Sequence, residues 1–261
     1  SKTGKPEIGS DVKNFYKKIA SPPEDVFMEA ENADFIDMQK PINFKKNVKL
    51  TYGKDTYLET EECQWTPKDD IVYFPQNLLI HSGNNLIKGN NATFNTHDKN
   101  FVIKSNIVSF FELEDFSAKK NTLQPKVKLA KLTSIGPLLF NHSFRSIKLS
   151  HPTTIKNIDF VLSADYIEFF LNEKNAIYLL KAEGNVNITL IEKNVIAWSP
   201  KATIDFSEKS YHFMSEDKLI PYIDLNGYRQ SASYITYSEK TEILTAGPEV
   251  MSIKIIQDSK E

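Results

Sequence analysis

The stretch ADYIEFFLNEKNAIYLLKAEGNVNITL, Ala164 to Leu190, decides how the rest of the chain is read. It places a small residue two positions before a large one (Ala164, Tyr166), then a polar turn, Asn172-Glu173-Lys174-Asn175. An alternating segment follows (Ile177, Leu179), and another after Gly184-Asn185 (Val186, Ile188). Residues two apart share one face of a strand, whereas a helix returns its apolar residues every three or four positions. The intervening Asn, Glu, Lys and Gly residues are those that reverse or interrupt strands.

The same order recurs on both sides. Ala33-x-Phe35 leads to Ile42-x-Phe44 and Val48-x-Leu50, and Cys63-x-Trp65 leads through Pro67-Lys68-Asp69-Asp70 to Leu78-x-Ile80. Ala92-x-Phe94 leads through His97-Asp98-Lys99-Asn100 to Phe101-x-Ile103 and Asn106-Ile107. Downstream, Ala202-x-Ile204-x-Phe206 and Ala232-x-Tyr234 each precede a Ser-Glu-Lys turn. Most copies begin about 30 residues apart, enough for two or three strands. Such a unit cannot bury its own apolar face, so the copies must stack. The expectation is an all-β fold of stacked antiparallel hairpins.

Residues 1–31, polar and holding Pro6, Pro22 and Pro23, read as an N-terminal tail or linker. Residues 32–108 and 164–261 form two sets of repeats, and 109–163 a degenerate copy around Val127 to Phe140 with an insertion. The whole of 32–261 is expected as one continuous body. Only Ser10–Ala20 and Ser109–Lys120 have a composition compatible with helix.

The 261 residues carry 32 basic and 34 acidic side chains, a net charge of −2. That balance excludes a nucleic-acid binder, which needs a basic surplus to displace counterions. The single cysteine, Cys63, excludes an internal disulfide framework and a cysteine zinc cluster. It fills a slot that alanine fills in other copies, so a buried structural thiol is expected. His81, His97, His142, His151 and His212 form no metal-ligand pair, and each is expected at the surface or in a turn. Glu61-Glu62 and Asp69-Asp70 are adjacent in sequence and do not converge as a two-carboxylate catalytic pair. With no nucleophile elbow, dinucleotide loop or phosphate loop, the expectation is a protein that is no enzyme and uses no metal or cofactor. No run of 18 apolar residues occurs. The sequence begins at Ser1, which leaves a signal peptide, lipid anchor or membrane helix beyond it open. Arg145 and Arg229 are the only arginines, a thin supply for bidentate phosphate recognition.

Two stretches resemble a known family. Asn47 to Asn95 is similar to LptC, a periplasmic component of the lipopolysaccharide exporter, at Gly53, Leu58-Glu59-Thr60-Glu61, Trp65-Thr66-Pro67-Lys68-Asp69, Leu78-x-Ile80 and Ile87-Lys88-Gly89 before Ala92-x-Phe94. Ala164 to Ile255 is more similar to LptA, the soluble bridge with the same OstA-type fold. The resemblance implies an elongated OstA-like β-jellyroll in the periplasm of a diderm bacterium, open along one seam. It implies lipopolysaccharide or another acylated glycolipid in an apolar groove. It also implies other β-jellyroll transport components docked by edge-strand addition. The expected groove lining is Ala92, Phe94, Phe101, Ile103, Ala164, Tyr166, Ile177, Leu179, Val186, Ile188, Ala202, Ile204, Phe206, Ala232 and Tyr234. Alternation alone does not fix which face points inward. The strands of Ala33–Phe44 and Val250–Ile256 are the candidate edges. A structural or adhesive β-repeat surface protein without ligand is the alternative, and a carbohydrate-binding or hydrolytic β-sandwich a third reading.

Overall fold

The computed structural model describes residues 26–37, 39–53, 56–113, 128–225, 227–248 and 251–254. Its framework is set by five long strands: β3 (Ile42–Tyr52), β4 (Thr56–Thr66), β5 (Ile71–Ser82), β6 (Asn85–Asn95) and β7 (Phe101–Leu113). Each pairs antiparallel with the next in two blocks separated by a register shift, for example between Lys45 and Val48 in β3 and between Phe74 and Asn77 in β5. Extra residues at such a shift form a β-bulge, which bends and twists the strand. Lys46, Asn47, Asn91 and Asn106 adopt the left-handed conformation there. Asparagine tolerates that conformation better than most residues. Every long strand therefore turns a corner, and its two halves lie in two facing layers.

Past β7 the corner is mostly made by a break instead. Each bent ribbon becomes two successive strands, one in each layer and not bonded to each other: β8 (Lys128–Ser134) then β9 (Leu138–Asn141), β10 (Ser146–Leu149) then β11 (Thr153–Lys156), and β12 (Phe160–Ala164) then β13 (Tyr166–Leu171). Long strands return in β14 (Ile177–Leu190) and β15 (Val195–Asp205). The last such strands are β16 (Ser210–Met214) then β17 (Tyr222–Leu225), β18 (Tyr228–Ser231) then β19 (Tyr234–Ser238), and β20 (Ile243–Ala246) then β21 (Met251–Lys254). At the start, β1 (Val26–Glu29) and β2 (Asn32–Asp34) pair with the two ends of β3.

The hydrogen-bonded ladders keep sequence order throughout. One layer ends in β7, β8, β11, β12, β14, β15, β17, β18 and β21, and the other in β7, β9, β10, β13, β14, β15, β16, β19 and β20. The chain is an all-β jellyroll of stacked antiparallel hairpins.

Alternation puts one face of each layer inside. Leu50, Leu58, Phe74, Phe94, Ile103, Phe111, Leu132, Leu162, Phe169, Ile188, Ile204 and Ile235 are among the side chains fully buried there. Rings meet across the layers, Tyr52 with Phe94 and Phe111 with Phe169, each pair 5.8 Å apart. Bulges leave peptide groups without ladder partners, and polar side chains at the corners supply them. Thr60 Oγ1 donates to the Asn77 carbonyl at 2.8 Å and Ser199 Oγ to that of Met214 at 3.1 Å. Asn185 Nδ2 reaches Asp165 Oδ2 at 2.7 Å.

Two sequence expectations change. Ser109 to Leu113 belong to β7 rather than to a helix, because Phe111 and Leu113 continue its buried alternation. Residues 26–31 are not all tail: β1 pairs with Lys49–Tyr52 and places Met28 against the core. The possible helix at Ser10–Ala20 and the remainder of Ser109–Lys120 lie outside the described residues.

Candidate functional site: the interior and its seam

Opposite the corners, hairpin tips of the two layers face each other along a seam. Among the described residues no backbone connection crosses it, and side chains of the hairpin tips make the contacts. The Tyr52 hydroxyl and His142 Nδ1 lie 2.8 Å apart. Asn85 Nδ2 donates to the Asn175 carbonyl at 2.7 Å, and Asn175 Nδ2 to Ser82 Oγ at 3.1 Å. Beside them a single parallel pairing joins Leu113 of β7 to Ile177 of β14. Further along, Lys193 at the β14–β15 tip hydrogen-bonds Glu242 at the β19–β20 tip. That bond raises the Lys193 pKa and lowers that of Glu242. Phe160 and Phe206 meet beneath this part of the seam at 5.8 Å.

Between the Tyr52–His142 and Ser82–Asn175 contacts a cavity of about 200 Å³ opens on the seam. Ile80, Ile87, Phe101, Phe111, Phe140 and Ile147 form its apolar floor, and Tyr52, Thr56, Ser82, His142, Arg145 and Asn175 its polar rim. Arg145 is held by Nη2, which donates to the Asn172 carbonyl at 2.5 Å and to Asn175 Oδ1 at 2.7 Å. Its Nε is buried without a hydrogen-bond partner.

The residues expected from sequence to line a groove divide by position. Ala92, Phe94, Phe101, Ile103, Ala164, Ile177, Val186, Ile188, Ala202, Ile204, Phe206 and Ala232 are buried in the interior. Tyr166, Leu179 and Tyr234 are not, and their inward orientation is corrected. The chain turns a corner at Asp165, so the buried set shifts from Ala164 to Ile167, Phe169 and Leu171. A bulge opposite Phe170–Leu171 does the same between Ile177 and Leu180, turning Leu179 out. The break between β18 and β19 leaves Tyr234 46% exposed, with Ile235 inside. A strict period of two carries through a strand but not through a bulge.

Sequence reading missed the rim. His142, expected at the surface or in a turn, sits in the turn between β9 and β10 and also lines the cavity, which spacing did not reveal. Arg145 was noted only as a scarce residue. Asn141 and Arg145 flank a tight turn, with Asn141 Oδ1 accepting from the Phe144 backbone at 3.0 Å and Arg145 left-handed. That turn signature was the available clue. Cys63 is buried beside Met28, and desolvation pushes its thiol up to about 12. Burial and the neighbouring Glu239 carboxylate likewise raise the Tyr211 hydroxyl above its ordinary range. Among the described residues no group of three or more His, Cys, Asp or Glu side chains gathers at metal-binding distance, and no helix is long and apolar enough to cross a membrane.

No family model matches the sequence, and no curated protein matches it. Among solved structures the chain is similar to LptH from Pseudomonas aeruginosa, described as the LptA-homologous periplasmic component of the conserved lipopolysaccharide transport device. The match has 9% identity and a TM-score of 0.43, over 51% of this chain and 96% of that one.

Proposed function

We propose that this chain is a periplasmic lipid-transport scaffold of the lipopolysaccharide-export type, holding acyl chains between its two layers and docking to β-jellyroll partners by strand addition. One observation carries the reading: a continuous apolar interior is closed covalently along its corners and, among the described residues, by loop-tip contacts along its seam. Each neutral hydrogen bond of that seam contributes about 0.5–1.5 kcal/mol net. Burying an acyl chain gains about 0.8 kcal/mol per methylene, so roughly a dozen methylenes outweigh the seam bonds they displace. A cavity of about 200 Å³ is smaller than the roughly 300–1,000 Å³ of ordinary ligand pockets. Loading therefore requires the seam to part. The outer edges of β1, β2, β20 and β21 have no ladder partner among the described residues, which is the geometry strand addition uses.

A second reading, a ligand-free structural β-repeat protein, is favoured by how completely side chains fill the interior. Photo-crosslinking in a diderm envelope separates the two. A p-benzoylphenylalanine at position 206, inside and beneath the seam, is expected to capture an acylated molecule, while the same probe at position 166, on the outer face, captures none. Equal capture at both positions, or none at 206, overturns the carrier reading.

A further inference from the structure

Resting on the carrier reading, we propose that the cavity between the Tyr52–His142 and Ser82–Asn175 contacts is a lateral entry site for the anionic end of an acyl chain. Arg145 binds the carboxylate or phosphate, and the first methylenes lie on Phe101, Phe111 and Phe140. The cavity is amphipathic: Ile80, Ile87, Phe101, Phe111 and Ile147 are buried in its lining, while Thr56, Ser82, His142, Arg145 and Asn175 are only half-buried. Its volume of about 200 Å³ suits a headgroup and a few methylenes rather than a whole lipid. Arg145 lines the cavity and is oriented by Nη2, whose two hydrogens go to Asn172 and Asn175. Its Nη1 makes no hydrogen bond among the described residues, so the guanidinium keeps its charge and a donor nitrogen for an oxyanion. Glu173, the carboxylate lining the cavity, is exposed at its lip and makes no ion pair with Arg145.

The test is calorimetric titration of the delipidated full chain with dodecanoate, dodecyl phosphate and dodecyltrimethylammonium, each below its micelle concentration. At least one of the two anions is expected to bind tenfold or more tighter than the cation. Preference for dodecanoate points to a fatty acid, and preference for dodecyl phosphate to a phosphorylated lipid. Arg145→Met is expected to abolish the preference, and Arg145→Lys to keep it in weakened form. Thr56→Tyr, which crowds the rim and gives up the Thr56–Ser82 hydroxyl contact while keeping Arg145 itself, is expected to weaken every probe about tenfold. Equal binding of anions and cation by the parent chain overturns the site. So does a preference that survives Arg145→Met or, should that variant fail to fold, affinities unchanged in Thr56→Tyr. Lipid captured at position 206 without anion preference removes the entry site and leaves the carrier reading. Anion preference without captured lipid removes the carrier reading and leaves an anion site.

Discussion

The corner and the seam bound the same interior by opposite means. At the corner the backbone itself passes between layers through residues held left-handed, with Thr60 and Ser199 satisfying carbonyls that the bend releases. At the seam two stacks of hairpin tips touch through Tyr52, His142, Asn85, Asn175, Lys193 and Glu242. Opening the corner means breaking strands, whereas opening the seam means exchanging tip contacts and parting the apolar side chains that meet behind them. The difference gives the molecule a hinge side and an opening side, and substitutions on the two sides are expected to act differently.

The largest effect lies in the interior that both sides share. Phe94 is fully buried between Tyr52 and Phe101, so Phe94→Ala is expected to lower stability by about 3–5 kcal/mol in urea denaturation. Exposed Met251→Ala should stay within about 0.5 kcal/mol. A comparable loss in both would deny that the interior holds the layers together.

Cys63 follows β4's corner and reports whether that side stays shut. Its pKa of about 12, against an ordinary 9.0, leaves roughly a thousandfold less thiolate near neutral pH. A thiol reagent at pH 8 should therefore label native protein about three orders of magnitude more slowly than protein in urea. A folded-state pKa raised above the unfolded one makes the folded chain hold its proton more tightly. Stability is thus unaffected below pH 9 and falls as pH rises from about 9 towards 12, with Tyr211 adding in the same direction. Cys63→Ala should reduce that alkaline slope.

Glycines at the two sides differ in kind. At the corner, a Cβ on Gly184 (φ +71°) would sit 2.7 Å from Asp165 Oδ2, whereas at the seam one on Gly53 (φ +66°) meets nothing within 4 Å. Gly184→Ala is expected to cost about 1–3 kcal/mol and Gly53→Ala about 1 kcal/mol, both read as shifts in the denaturation midpoint. Smaller still is Tyr52→Phe, which removes the contact to His142 for about 0.5–1.5 kcal/mol. Hydrogen exchange should then quicken at the seam tips around residues 82–85 and 172–175 while the corners keep their rates. Uniform acceleration would mean that the seam is not an independent opening unit.

Much of this was legible in the sequence. The period-two pattern and the polar turns specified the strands, their order and most of the inward face, because Ala92, Ile103, Ile188 and Ile204 lie on uninterrupted runs. Tyr166, Leu179 and Tyr234 were misassigned because a bulge or break between them and the preceding buried residue inverts the phase. The rim was hidden for another reason. Tyr52, His142, Arg145 and Asn175 come from hairpin tips far apart in sequence, and only the facing of two layers brings them together. Spacing within one strand carries no information about a neighbour across a seam.

If acyl chains part this seam and occupy the space behind it, mass spectrometry of organic extracts from the full chain purified out of a diderm envelope will find them. An acylated amphiphile is expected at near-stoichiometric amount, reduced when Ser82→Cys and Asn175→Cys lock the seam by a disulfide. Extracts free of acylated species, or a yield indifferent to the lock, would contradict loading through the seam.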